Sequence, residues 1–261
     1  LKNNIIAPML INENYSKNLI EIQDFGNQTI FSLLKKKNED RLLIFKKIIN
    51  LLKKIQLIKD KKIINFKNQS YRGPKYTSKI LFEEPKLFST WYVPQKISKR
   101  NHLKFSKDYE RLIKILIKKI SFKNDVFVHR DFHVSNLMLF NGNIALIDSQ
   151  DAVFGNRAYD LASLIDDVRL KTSNIFKEKI FYIYLKSQKR LNVKKFRNDF
   201  EIISVLRNLK IIGIFTRLAI RDNKKDYLKF IPYTWRLVRL RSKNNKILRE
   251  LNNLLNKNLI Q

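Results

Sequence analysis

His129 to Asp148 reads HRDFHVSNLMLFNGNIALID. Two apolar runs, NLMLF (136–140) and IALID (144–148), flank Asn141-Gly142-Asn143. An Asn-Gly between apolar runs is a strong hairpin signal. A third apolar run, VFVH (126–129), precedes them and reads as a short strand. A hairpin reverses direction, so the start of one strand lies beside the end of its partner. Asn136 opens one run and Asp148 closes the other, which makes them expected neighbours, with Asp131 on the connecting loop beside them. The spacing predicts two carboxylates and one amide oxygen at one end of a hairpin.

That is the set of groups phosphoryl transfer needs. One carboxylate orients an attacking hydroxyl and accepts its proton, which is the role expected of Asp131. A second carboxylate and an amide oxygen, Asp148 and Asn136, are suited to hold Mg2+ against phosphates. Magnesium prefers oxygen ligands and takes only one or two carboxylates, filling its shell with water and phosphate oxygens. H-R-D-x-x-x-x-N followed by a strand-terminal Asp is the kinase catalytic pattern, and His129-Arg130-Asp131 with Asn136 match its spacing.

The rest of the composition fits a globular enzyme. The 261 residues are 44% hydrophobic and 11% aromatic, enough for a sizeable core and too apolar for a disordered chain. There is no cysteine, which excludes disulfides, thiolate nucleophiles and Cys-based metal sites. No apolar run approaches the roughly 18 to 20 residues needed to span a bilayer, so no membrane partner is expected and the location expected is cytoplasmic. The net charge of +31 comes from 38 Lys and 16 Arg spread along the chain. Lys, Asn and Ile share A/T-rich codons, so the charge reads as composition bias, and no nucleic-acid partner is expected. It still favours an anionic substrate such as ATP by steering.

Along the chain, residues 17–23 alternate like a strand and are broken by Asp24, Phe25, Gly26 and Asn27. From Thr29 to about Asp60 the apolar spacing is helical, and further helices are expected within 77–93 and over 105–120, 158–169, 174–188, 194–220 and 230–258. The fold class expected is α+β: a mainly helical lobe with a catalytic β-hairpin embedded in it.

After Asp148 the chain continues SQDAVFGNRAYDLASLIDDVR (149–169). With HRDFH and Asn136, this resembles the aminoglycoside phosphotransferase and choline kinase superfamily. Its members share a protein-kinase-like fold and carry H-x-D-x-x-x-x-N and then I-D-[FW]-[EQ]-D-A and DLA. EPKLFSTWYV (84–93) and RNLKIIGIFTRLAIRDNKKDYLKFIPYTWRLV (207–238) are similar to stretches of its bacterial cell-wall sugar kinases. Those enzymes phosphorylate the anomeric hydroxyl of N-acetylmuramate and N-acetylglucosamine. The resemblance implies an ATP- and Mg2+-dependent kinase for a small molecule, with Asp131 as base and Asn136 and Asp148 on the metal. It implies that Asp160, the Asp of DLA, braces the catalytic loop, with His129 in support; Arg130 braces the loop too, the competing role being to bind a phosphate. It also implies a hinge at Gln23, Asp24 and Phe25 that meets adenine. Glu84, Trp91, His133, Gln150 and Asp151 are candidates for acceptor contacts. For Trp91 the competing role is core packing, for His133 a packed loop side chain, and for Gln150 and Asp151 support of the metal ligand.

Two departures stand out. Ser149 takes the place of the usual Phe or Trp after the metal Asp. The glycine loop and strand Lys expected upstream of the hinge are not recognisable, and Lys2 has no recognisable context. Residues 1–25 are therefore expected to be the remnant of a truncated N-terminal lobe plus hinge, and 26–261 the helical C-terminal lobe. On that expectation residues 1–261 alone bind ATP weakly. Kinases of other small alcohols (aminoglycoside, choline or homoserine) and a non-catalytic kinase-like module are the alternative readings.

Overall fold

In the computed structural model, residues 5–36, 39–59, 62–64, 70–188 and 190–259 are described. Lys2 lies outside them, as do the end of the helix expected over 29–60 and the first four residues of the expected N-terminal remnant. The chain divides into two compact units, Leu1–Pro74 with Asp125–Lys189, and Lys75–Asn124 with Arg190–Gln261.

Among the described residues, the first unit holds four small sheets. Strands β1 (Leu10–Asn14) and β2 (Leu19–Ile22) form an antiparallel pair, Glu13 opposite Ile20. β2 is the strand expected from the alternation, and β1 is an addition. The helical stretch expected from Thr29 splits in two. Helix α1 (Ile30–Leu34) is capped by the Thr29 hydroxyl on Ser32 N–H. Helix α2 (Arg41–Gln56) starts afresh where the Asp40 carboxylate accepts from Leu42 and Leu43 N–H. A short polar side chain at that position satisfies orphan N–H groups that the helix itself leaves unpaired. β3 (Lys62–Ile64) and β4 (Ser70–Arg72) pair antiparallel.

β5 (Val126–Val128) pairs not with its sequence neighbours but with β8 (Val153–Gly155), Val128 opposite Val153. Between them runs the expected hairpin, β6 (Leu137–Phe140) with β7 (Asn143–Leu146), in the register Leu137 opposite Leu146. Its turn has Asn141 at φ 48° and Gly142 at φ 74°, both left-handed, as a two-residue hairpin loop requires. Helix α5 (Ala158–Ile165) is buried along its whole length. Helix α6 (Asn174–Lys186) packs on α2, where Phe45 meets Phe176 edge-on at 5.1 Å and the Tyr184 hydroxyl donates to Gln56 at 2.6 Å.

The second unit is helical. Helix α3 (Ser78–Leu87) passes at Phe88 into a single π-helical turn, Phe88–Tyr92, three residues beyond Pro85. Such turns insert an extra residue into the ladder and re-aim the side chains that follow. Helices α4 (Lys99–Lys118), α7 (Val193–Arg221), α8 (Ile231–Ser242) and α9 (Arg249–Leu259) surround a core that includes Phe88, Tyr109, Leu209, Ile212, Trp235 and Leu251. The helix expected over 230–258 is broken at 243–248, where Asn245 caps a short turn through Ile247 N–H. Gly213 of α7 lies against the backbone of Leu87 and Phe88, where a Cβ would clash. No helix among the described residues is long and apolar enough to cross a membrane.

Candidate active site

Asp131, Asn136 and Asp148 come together in the first unit. The Asn136 side-chain amide donates to the Asp131 carbonyl at 3.1 Å and to Asp148 Oδ2 at 3.3 Å. The hairpin explains the meeting. Leu137 opposite Leu146 places the residues just outside the ladder side by side, and Ile147 N–H donates to the Asn136 carbonyl at 3.1 Å. Gln150 Nε2 donates to the other Asp148 oxygen at 2.5 Å, so the carboxylate is oriented from both sides. Asp148 has φ 67°, a left-handed value that Asp tolerates better than most side chains.

The loop before the hairpin is pinned from below. The Asp160 carboxylate, fully buried in the first turn of α5, accepts His129 N–H at 2.7 Å and Arg130 N–H at 3.0 Å. Arg130 has φ 73°, rare for a residue that is neither Gly nor Asn, and the two bonds from Asp160 hold it there. Its guanidinium donates to the Asp151 carbonyl at 3.4 Å. The His129 ring is buried and its Nε2 hydrogen-bonds the Ile147 carbonyl at 3.0 Å. Burial holds its imidazole below the ordinary pKa. The Ile147 carbonyl and the Asp131 and Asp148 carboxylates pull the other way. A carbonyl only accepts, so the neutral ring carries its proton on Nε2.

His133 is buried. Its N–H donates to the Asp131 carbonyl at 3.0 Å and its carbonyl accepts from Asn136 N–H at 2.9 Å. These bonds close the turn that carries Asp131 to Asn136. Phe25 is buried against Met138 and Ala145 of the hairpin, its ring 4.5 Å from Phe140. Gln23 N–H donates to the Met9 carbonyl, and the Asp24 carboxylate accepts from Gly26 N–H at 2.7 Å, where Gly26 turns with φ 74°. The segment 23–25 is thus fastened to the same hairpin that carries Asn136 and Asp148. Glu84 and Trp91 belong to the second unit. Glu84 is held by the Tyr76 hydroxyl and by Lys210 Nζ at 2.8 Å, and Trp91 is half-buried on the π-helical turn.

The donor set suits a hard cation. Asp148 and Asn136 offer one carboxylate and one amide oxygen, the small protein contribution usual for magnesium. Among the described residues no group of three or more His, Cys, Asp or Glu could form an all-protein metal cage. Arg207 of α7 is a buried cation, 6% exposed, on a face it shares with Lys210. Its signal was present as a charged residue at a core position of a helical pattern.

A profile of the phosphotransferase enzyme family, APH, matches residues 27–190. The N-acetylmuramate/N-acetylglucosamine kinase of Neisseria meningitidis serogroup B (strain MC58) is 27% identical over 237 residues, 87% of this chain and 67% of that protein. Among solved structures, a choline/ethanolamine kinase family protein from Mesorhizobium loti superposes with a TM-score of 0.63 at 11% identity, over 97% of this chain and 80% of that one. The AMP-bound spectinomycin phosphotransferase APH(9)-Ia superposes with a TM-score of 0.59 at 15% identity, over 93% and 79%. These two likenesses establish an α+β, protein-kinase-like fold. The family profile covers more than half of the sequence and takes in every residue of the Asp131–Asn136–Asp148 cluster. The chain belongs to the phosphotransferase enzyme family and is a small-molecule kinase.

Proposed function

We propose that this chain transfers the γ-phosphoryl group of ATP to a hydroxyl of a small molecule, the anomeric hydroxyl of an N-acetylated amino sugar. The observation that carries the reading is the junction at Asn136, whose amide meets both the Asp131 carbonyl and the Asp148 carboxylate. The sugar class is supported by the name of the Neisseria relative and by the stretches 84–93 and 207–238.

In this reading Asp131 is the base. It accepts a hydrogen bond from the acceptor hydroxyl, aligns its oxygen for in-line attack on the γ-phosphorus, and takes its proton as the bond to the bridging oxygen of ADP breaks. Asp148 and Asn136 would hold magnesium, which when bound neutralises charge on the phosphates. Gln150 and Asn136 fix the Asp148 carboxylate before any ligand arrives, so little reorganisation accompanies binding. His129, Arg130 and Asp160 keep the base loop in its left-handed turn. Gln23, Asp24 and Phe25 supply the hinge for adenine, and residues 1–25 belong with the nucleotide-binding lobe. Glu84, Trp91, His133, Gln150 and Asp151 are the candidates for contact with the acceptor or its surroundings.

The test is ADP release from ATP and Mg2+ with N-acetylmuramate, N-acetylglucosamine, choline or kanamycin, and phosphorus NMR of the product. Sugar-dependent ADP release and an anomeric phosphate support the proposal. Release with choline or kanamycin alone moves the acceptor to another class, and release with none of them overturns the reading.

A further inference from the structure

Within the second unit, α7 and α8 border a cavity of about 500 Å3. Thr216, Ala219 and Ile220 of α7 share one helical face on it. Ile231 and Trp235 of α8 do the same from the other wall. Tyr92 of the π-helical turn and Leu228 of the short turn Lys225–Phe230 complete it. Thr216 and Ala219 are small, and the space opens where a larger side chain at either position would have filled it. A cavity of this size is in the range that holds a small molecule.

Its polarity changes with depth. Tyr92, Thr216, Ala219 and Trp235 are buried, and the two aromatic rings stand 5.9 Å apart. Two polar groups of this floor are already engaged. Trp235 Nε1–H donates to the Tyr92 hydroxyl at 3.1 Å, and the Thr216 hydroxyl donates to the Ile212 carbonyl at 2.8 Å. Ile220 and Leu228 are large apolar side chains left exposed, so the apolar wall continues to the mouth. Gln95 and Lys96 line the same cavity from exposed positions. The Lys96 ammonium lies 5.6 Å from the centre of the Tyr92 ring, and no carboxylate among the described residues pairs with it. No Asp or Glu among those residues lines the cavity.

We infer that this cavity binds an aliphatic carboxylate, with its tail against Tyr92 and Trp235 and its head beside Lys96 and Gln95. The tail displaces water from apolar walls, and the head remains at the wet rim beside an ammonium and an amide, so no charge is buried unpaired. A sugar fits these walls poorly, because its hydroxyls would meet a floor whose donors are largely spent, and a polar group buried without a partner is costly. A phosphate dianion would bring two charges to a single cation. The inference stands on the second unit alone and is independent of the acceptor proposed above.

The experiment is calorimetric titration of the whole chain with hexanoate, octanoate, decanoate and dodecanoate, each below its micelle concentration. One molecule is expected to bind per chain, about threefold tighter for each added methylene. Dodecanol should bind about threefold weaker than dodecanoate, and Lys96→Met should erase that difference, as for an ion pair at an exposed rim. Ala219→Leu takes up room for about three methylenes and should weaken dodecanoate at least about tenfold. Affinity that ignores tail length, or several molecules bound alike by the unaltered protein and Ala219→Leu, would mean adsorption to a basic surface and overturns the site. Equal binding of dodecanol and dodecanoate overturns the carboxylate. Displacement of dodecanoate by N-acetylmuramate or N-acetylglucosamine gives the cavity to a sugar and overturns the assignment as well. If Ala219→Leu does not fold, as judged by circular dichroism, the stoichiometry and the tail-length series decide.

Discussion

Asp160 holds Arg130 in a left-handed turn: its carboxylate accepts the Arg130 N–H at 3.0 Å, and Arg130 sits at φ 73°. The other carboxylate oxygen takes His129 N–H. Asp160→Asn keeps the shape but exchanges one acceptor for a donor, so one of the two amides loses its partner inside a dry site. The expected loss is about 2 kcal/mol of stability, read as a lower urea midpoint. Turnover should fall at least about tenfold, because support of a site residue is lost along with the bond. A variant with lower stability and unaltered kcat would show that the turn does not need this brace.

Asp131→Asn removes the proton acceptor and preserves the loop, whose bonds at this position run through the Asp131 carbonyl and not its side chain. Turnover is expected to drop about 100- to 10,000-fold, the range for loss of a positioned base. A coupled assay of ADP release checks it, with the melting temperature as control. Activity within a few-fold of the original would refute the role given to Asp131.

Gly213→Ala puts two effects in opposition. In a helix interior alanine is favoured over glycine by about 1 kcal/mol. Here the added methyl would meet the Leu87 carbonyl and Phe88 amide at clash distance, and backbone cannot swing aside as a long side chain can. Overpacking of this kind costs about 1–3 kcal/mol, so the clash wins and the variant is less stable. Chemical denaturation gives the sign directly, and a stabilised variant would mean that α3 and α7 separate without penalty.

Lys177 and Asp166 test the first unit. The ammonium lies 3.4 Å from the carboxylate and 2.5 Å from the Ile165 carbonyl, and the two side chains are 2% and 1% exposed. Lys177→Met takes the ammonium away from a buried carboxylate and is expected to cost about 3–5 kcal/mol. Replacing both, with Asp166→Leu added, should recover much of that loss, since a buried pair is often no better than well-packed apolar residues. A double variant as unstable as the single one would show that Asp166 has a separate duty.

The hairpin was legible because its determinants are local. Asn141-Gly142 supplies the two left-handed residues of the turn, and the apolar runs beside it fix the register that brings Asn136 to Asp148. The breaks in two long helices were also written locally, in Asp40 and Asn245, but a continuous apolar period obscured them. Other features depend on partners distant in sequence. β8 is three residues of VFG, recognisable as a strand only once β5 is beside it. β1, LINEN, is exposed and too polar to announce itself. Lys210 meets Glu84 across 126 residues.

The pairing of β5 with β8 has a consequence for how the site fails. Val128 and Val153 are the last rungs of that ladder, and the chain between them, which contains Asp131, Asn136 and Asp148, forms a closed ring tied at its neck. Within the ring a second ladder, β6 with β7, takes up the slack. Opening the neck would release all three polar residues at once, whereas fraying of β1 and β2 would leave them in place. Amide exchange should therefore show Val128, Asn136 and Ile147 opening as one cooperative unit with a common free energy, so that the site is lost in a single step and not residue by residue.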